Sequence, residues 1–390
     1  MIGFDEALAR VVALARPLGT EEILVEEAHG RTLAQEVVAR ITAPAADVST
    51  MDGYAVRGRD LVPGAMLRVV GELFPGGGGG AIGAAECARI FTGAPLPEGA
   101  DRVVMQEEVE RDGEMARLAS SLSSDCFVRV AGSDFRAGET LLPAGSRLGP
   151  RELVVAAAGD VARITVHRRP RVRILATGDE LVAPGEALGG AGIPDSIGIG
   201  VAAMAREHGA EVFGTQRVGD DLAALRRKAG AALGEADVVV VTGGASVGER
   251  DFGRAMFADH ELELVIDKVA MKPGKPVWVG RAGDRLVVGL PGNPTSALVT
   301  ARLLLAPLLL GLCGARPQLD WRLLPLAARL PGAGPRETFS RGFEKGGSAH
   351  LLHPQDSGAQ RILAQATLLI RRPPGEEPLA AGSEVATLSF

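Results

Sequence analysis

Apolar and polar positions change rhythm several times along the chain. Over "FDEALARVVALA" (4–15) apolar residues recur at helical spacing, and "AHGRTLAQEVVA" (28–39) repeats the pattern after a glycine, so the spacing predicts two helices. From about 41 to 135 the texture becomes short β-prone runs cut by Gly and Pro, among them "YAVRG", "LRVVGEL", "ARIFTG" and "FVRVAG". The "PGGGGG" at 75–80 reads as a loop tip, without the periodicity of a phosphate cradle. "AGETLLPAGSRLGPRELVVAAAGD" then reads as a strand, a turn and a helix. Folded back on the N-terminal helices, it would make 41–135 an insertion.

From about 169 strands and helices alternate. "RVRILATGDEL", "EVFGTQRV" and "DVVVVTGG" read as strands; "IGIGVAAMAREHG" and "DLAALRRKAGAALGEA" read as the helices between them. "DFGRAMFADH" follows as a helix, then "LELVIDKVAM", "PVWVG", "RLVVGL" and a long helix after "PGNP". Such alternation predicts a parallel α/β sheet covered on both faces. After about 316 short strands return ("WRLLPLAARL", "ETFSRGFE", "AHLLHP", "EVATLSF") and suggest a small β-barrel. The expected division is 1–40 with 136–168, an inserted β part at 41–135, an α/β part at 169–315 and a barrel at 316–390.

The length of 390 residues exceeds one core, and a net charge of −6 gives no reason to expect nucleic-acid binding. The apolar stretch Ala297 to Ala315 is about long enough to span a membrane. Arg302 and Pro307 inside it favour a core or interface helix. Cys87, Cys126 and Cys313 are far apart and in no metal-ligand spacing, which argues for reduced thiols in a cytoplasm. The first residues, "MIGFDEALAR", show no export signal. Among the 42 basic residues only Lys228, Lys268, Lys272, Lys275 and Lys345 are lysine. Two of these five fall in "KPGKP", which suggests chemistry that wants a compact ammonium.

Ligands of open α/β sheets bind beyond the carboxyl ends of the strands. The expected ends are "TGDE" (177–180), "GDD" (219–221), "TGGASVGERD" (242–251), "MKPGKP" and "LPGNPTS". Glu180, Asp220, Asp221 and Asp251 are expected to converge there with Lys272 and Lys275. Carboxylates beside an anion site call for a hard cation between them, hence Mg²⁺ bridging phosphate. Each motif also has a plainer reading. "GDD" before a helix is an N-cap with acids at the positive dipole end, and "PGNP" is a turn with a helix start. His350 and His353 point to opposite faces of a strand-like run and make a poor metal pair.

"STMDGYAV", "FTGAPLPEGAD", "VVMQEE", "TGDEL", "GGASVGERDF", "KPGKP" and "LPGNPTSA", in this order, resemble the MoeA family. These are the molybdopterin molybdenumtransferases, related to the C-terminal domain of gephyrin. The resemblance spans essentially the whole chain. It implies an elongated helical N-terminal part, an inserted β domain, a MogA-like parallel α/β domain and a C-terminal barrel. It also implies a homodimer whose clefts draw on both subunits.

The implied reaction joins molybdate to adenylylated molybdopterin with Mg²⁺ present and releases AMP. By resemblance Lys272, Lys275, Ser246 and Ser296 hold molybdate, while Arg341 and Ser357 guide it inward. Glu180, Asp220 and Asp251 handle Mg²⁺ and the adenylate phosphate, with Asp221 as the alternative acid of its pair. Asp52, Thr92 and Asp134 reach across from the partner subunit. Thr177, Gly243, Gly244, Asp195, Ser196, Pro291 and Asn293 complete the implied substrate contacts. Three positions depart from the family: Ile197 replaces a usual Asn, Asp356 a common Gly, and "RVAGSD" leaves Arg129 as the anion contact before Asp134.

Two rival functions share parts of this pattern. A molybdopterin adenylyltransferase, itself a possible partner, carries "TGGTG" where this chain has "TGGAS" and needs little beyond the α/β domain. A gephyrin-like scaffold would not need the acids and lysines of the site.

Overall fold

The computed structural model describes residues 1–188, 190, 192–243 and 252–390. The predicted first helix forms at Phe4–Leu14, buries Phe4, Ala7 and Val11 on one face, and carries Asp5 and Glu6 in its first turn. The second predicted helix does not form. A turn at 29–30 is followed instead by bridges Thr32↔Arg147 and Leu33↔Val166 and by pairing of Val37–Val38 with Thr140–Leu142. Strand partners from 140–166 thus override a helical apolar spacing. Helix Pro150–Ala158 and the paired strands Thr20–Leu24 and Arg163–His167 complete this unit around Leu33, Leu148, Ile164 and Val166.

Between these pairing partners lies a six-stranded sheet. Its order is Arg102–Met105, Gly53–Val56, Glu86–Ile90, Met66–Leu73, Met115–Leu118 and Val109–Asp112. Its two apolar clusters, around Tyr54 with Leu67 and around Ile90 with Val103, contain only residues of this insert.

The α/β sheet runs Glu211–Val218, Arg171–Thr177, Val238–Thr242, Arg285–Leu290, Trp278–Ala282, Glu263–Ile266. Val238–Thr242 is wholly buried, as four valines in succession predict. The sheet departs from all-parallel at one strand: Trp278–Ala282 is antiparallel to both neighbours. Only Gly283 and Asp284 separate it from Arg285–Leu290, and a two-residue link can join antiparallel strands alone. The expected helix over "DFGRAMFADH" is reduced to Phe252–Ala255 and a 3-10 turn at Ala258–His260.

The apolar helix after "PGNP" runs from Pro294 to Leu312, with a π-helical stretch at Ala301–Leu305. Pro307, which has no N–H for the preceding turn, follows that stretch. Leu303, Leu304, Leu305, Leu308 and Leu309 are buried in a core that also takes in Phe4, the α/β strands, Phe339 and Leu369. It is a core helix.

The C-terminal strands Arg322–Pro325, Glu384–Ser389, Leu368–Arg372, Glu337–Lys345 and Ser348–Leu351 pair in that order. The bridge Leu326↔Ala349 links the first to the last and closes a barrel. Met271–Lys272 joins this barrel sheet rather than the α/β sheet. It pairs in parallel with Glu337–Thr338, while the residues just before it bond to Ile2 through Ile2 N–H to Lys268 carbonyl (3.2 Å) and Ala270 N–H to Ile2 carbonyl (2.8 Å). Behind this junction Arg371 pairs with Asp5 and Glu337 and lies over the Phe4 and Trp321 rings.

At the opposite end of the sheet, Asp237 opens the central strand and is 7% exposed. It accepts a two-pronged pair from Arg168 (2.9 and 3.1 Å), the Arg171 N–H (2.8 Å) and Arg285 (3.0 Å). Burial alone would raise its pKa, but the Arg168 and Arg171 bonds and both arginine charges bring it below the ordinary carboxylate value. A depressed folded-state pKa gives stability that is complete above the unfolded value and lost as pH falls through the folded one. Asp237→Ala is therefore expected to lower unfolding free energy at pH 7 by about 3 kcal/mol, the scale for breaking a buried pair. In urea unfolding the gap to wild type should narrow on acidification; a gap that does not change with pH would contradict this.

Candidate active site

Where the α/β layer meets the barrel, a cleft of about 870 Å³ opens. The "KPGKP" loop supplies one wall, with Lys272 and Lys275 both exposed. The loop is pinned at Gly274, whose φ is +108° and where an added Cβ would lie 2.4 Å from the Thr300 hydroxyl. Only glycine fits that approach. Ser296, buried in the first turn of the apolar helix, lines the cleft beside the lysines. Ser357 and Asp356 face them from the barrel. Neither ammonium has an ion-pair or hydrogen-bond partner among the described residues.

The barrel loop is tied to the α/β layer at three points. Asn293 donates its amide to the Ser357 hydroxyl at 3.1 Å, the Thr295 hydroxyl donates to the Ser357 carbonyl, and Ser196 reaches Gln360 at 3.1 Å. Pro291 is buried just ahead of Asn293. Arg341 is 2% exposed and stands behind the loop rather than in the wall. It donates to the Asp356 carbonyl at 3.1 Å and to Gln355, while its Nε is buried without a partner among the described residues. Burial lowers its pKa, and Asp356 opposes that shift. Asp356, at the position expected to favour glycine, accepts the Gly358 N–H at 2.7 Å and so shapes its own turn.

Of the strand-end acids, Glu180, Asp220 and Asp221 do not line this cleft. Met271–Lys272, expected at an α/β strand end, pairs instead with the barrel. Thr177 is buried, and its hydroxyl meets the Thr242 carbonyl at 3.4 Å. Gly243 takes φ +87°, and a Cβ there would lie 2.5 Å from the Thr177 carbonyl oxygen. Glu180 curls over Gly178, where an added Cβ would meet its Oε1 at 2.7 Å. Asp179, not singled out from the sequence, accepts the Asp220 N–H at 2.8 Å and so ties two strand ends together. Its only signal was its place beside Glu180 in "TGDE".

Two acids take the plainer role. Asp221 caps helix Leu222–Glu235, accepting from Ala223 and Ala224 N–H at 3.2 and 3.1 Å. Asp195, 3% exposed, caps helix Ser196–Glu207 through the Gly198 N–H at 2.8 Å. Asp195 thus makes the helix-start bond while Ile197 packs against the core. Gly244, Ser246 and Asp251 lie outside the described residues.

On the insert, Asp52 and Thr92 do meet: the Asp52 carboxylate accepts both the N–H and the hydroxyl of Thr92 at 2.8 Å. These two bonds, with Arg89 nearby, hold the Asp52 pKa below its ordinary value. Arg129 lies 3.4 Å from Asp134. Both pairs are exposed.

Among the described residues no cluster of three or more His, Cys, Asp or Glu could enclose a metal. Mg²⁺ commonly takes only one or two carboxylates together with substrate phosphates. Glu180 and Asp220, hard oxygen donors at neighbouring strand ends, suit that mode.

Three family models match along the chain: the MoeA N-terminal region (domain I and II) over residues 2–159, a probable molybdopterin binding domain over 173–311, and the MoeA C-terminal region (domain IV) over 324–390. A molybdopterin molybdenumtransferase from Nostoc is 34% identical, with 95% of this chain and 89% of that protein covered. One from Haemophilus influenzae is 35% identical, covering 88% and 86%. The crystal structure of a molybdopterin biosynthesis MoeA protein from Pyrococcus horikoshii superposes with TM-score 0.82 at 30% identity, covering 100% of this chain and 99% of that one. The cleft and the strand-end acids thus sit in a fold shared end to end with these proteins, and the chain belongs to the MoeA family of molybdopterin molybdenumtransferases.

Proposed function

We propose that the chain inserts molybdate into adenylylated molybdopterin and releases AMP, with the oxyanion held in the Lys272–Lys275 cleft. The supporting observation is that cleft: two ammonium groups without a partner among the described residues share it with two hydroxyls, Ser296 and Ser357, at a junction of two units. Molybdate is a compact dianion that only accepts hydrogen bonds. Ammonium donors neutralise it without the planar geometry a guanidinium imposes, and hydroxyls supply donors without further charge.

The strand-end group suits the other half of the substrate. Gly243 gives close backbone approach, and Glu180 and Asp220 with Asp251 would hold Mg²⁺, which when bound neutralises the adenylate phosphate. Asp179 fixes the Asp220 backbone. Asp52, Thr92, Arg129 and Asp134 lie on an insert whose apolar clusters include nothing from the α/β sheet. They would serve the cleft of a second copy in a homodimer. The thiols suit a reducing, cytoplasmic setting: Cys87, Cys126 and Cys313 are all free.

Purified protein given adenylylated molybdopterin and Mg²⁺ is expected to release AMP on addition of molybdate. Formation of adenylylated molybdopterin from ATP would favour the adenylyltransferase instead. Lys275→Ala should fold normally and lose about 10- to 100-fold in kcat/KM for molybdate, the worth of a hydrogen bond to a charged group. Unchanged molybdate kinetics would remove Lys275 from the site. Asp52→Asn and Lys275→Ala proteins, each impaired alone, should regain activity when co-expressed, since one cleft of the mixed dimer carries neither change. No recovery would mean that each cleft is built from one chain.

A further inference from the structure

We infer that Arg336 is a third cation of the oxyanion cleft, contacting a tetrahedral oxyanion that the two lysines alone do not enclose. This rests on the proposed molybdate cleft. Arg336 lines the same cleft as the "KPGKP" loop and precedes strand Glu337–Lys345, whose first two residues pair with Met271–Lys272. Its backbone therefore lies one residue before the partner of Met271, where the Glu337 N–H bonds to the Ala270 carbonyl. Its side chain crosses the junction and donates one Nη1 bond to the Met271 carbonyl at 3.4 Å. Nε and Nη2 have no partner among the described residues.

The neighbouring arginines have more of their guanidinium engaged within the barrel. Arg372 is 4% exposed, pairs with Glu376 and donates to the Pro331 and Glu377 carbonyls, so its guanidinium pins two barrel loops together. Arg341 is turned to the carbonyl side of Asp356 and to Gln355. In a chain where 37 of 42 basic residues are arginine, most guanidinium groups need no special role. Arg336 is set apart by lining a cleft with two like charges where the one acid among the described lining residues, Asp356, is engaged with the Gly358 N–H. Three cations around one space repel one another, and an anion between them removes that cost. A guanidinium fork also offers two parallel donors to two oxygens of one tetrahedral anion.

Molybdate and the phosphate of the adenylylated substrate share this chemistry, so both are titrated. Arg336→Gln and Arg336→Lys proteins are compared with wild type by calorimetric titration of molybdate and, separately, of AMP with Mg²⁺, alongside kcat and both KM values. For Arg336→Gln about a tenfold loss of affinity is expected for one of the two anions, with a matching rise in that substrate's KM and little change in kcat. Arg336→Lys should recover part of it. Loss confined to molybdate identifies the metal oxyanion, and loss confined to AMP the phosphate. If Arg336→Gln binds both anions as wild type does, the inference fails. It also fails if affinity falls only in step with melting temperature and Arg336→Lys restores stability without restoring binding. A wild-type protein that binds molybdate but releases no AMP would overturn the proposed reaction and leave the Arg336 contact standing.

Discussion

The arrangement of the cleft depends on one short backbone pairing: Met271–Lys272 leaves the α/β layer and becomes a strand of the C-terminal barrel. Residues 268–270 bond on their other side to Ile2. The segment that carries the lysines is thus held between the start of the chain and the barrel. Lysine side chains are long and flexible, and fixing two in one cleft requires a fixed backbone beneath them. The Arg371 contacts with Asp5, Glu337, Phe4 and Trp321 surround that backbone and join the same three parts of the chain. One apolar core running from Phe4 through the α/β sheet to Phe339 makes the junction rigid.

Charge is distributed with the same division of labour. Arginines do structural work where their fork has fixed partners: Arg168 on Asp237, Arg371 on Glu337, and Arg372 on Glu376 with two carbonyls. The lysines of the cleft have no such partners among the described residues, and an ammonium left without one is available to a ligand. The two ends of the central strand show a comparable split. Asp237 at the amino end closes a dense ion-pair group, whereas Thr242 and Gly243 at the carboxyl end present backbone and small side chains.

Much of this was legible in the sequence because the signals were local. Four valines gave the buried strand, apolar spacing gave helix Phe4–Leu14, and the acids before "LAALRRKAG" gave an N-cap. What was not legible depended on distant partners. Residues 28–39 have helical apolar spacing, yet strand partners more than a hundred residues away draw them into extended pairing. The sequence around the lysines predicts a strand end of the α/β sheet because nothing local announces a switch of sheets. The antiparallel strand Trp278–Ala282 did have a local signal, the two-residue Gly283–Asp284 link. Asp179 and Arg336 were missed because each acts through one backbone contact, Asp220 N–H and Met271 carbonyl, that only the fold creates.

The most direct test is a crystal structure of the protein soaked with tungstate, a heavier oxyanion of the same shape, with its position fixed by anomalous scattering. The account expects the peak between Lys272, Lys275, Ser296 and Ser357, at the junction of the α/β layer and the barrel. A peak at the carboxyl ends of the α/β strands, beside Glu180 and Asp220 with the lysine cleft empty, would contradict it.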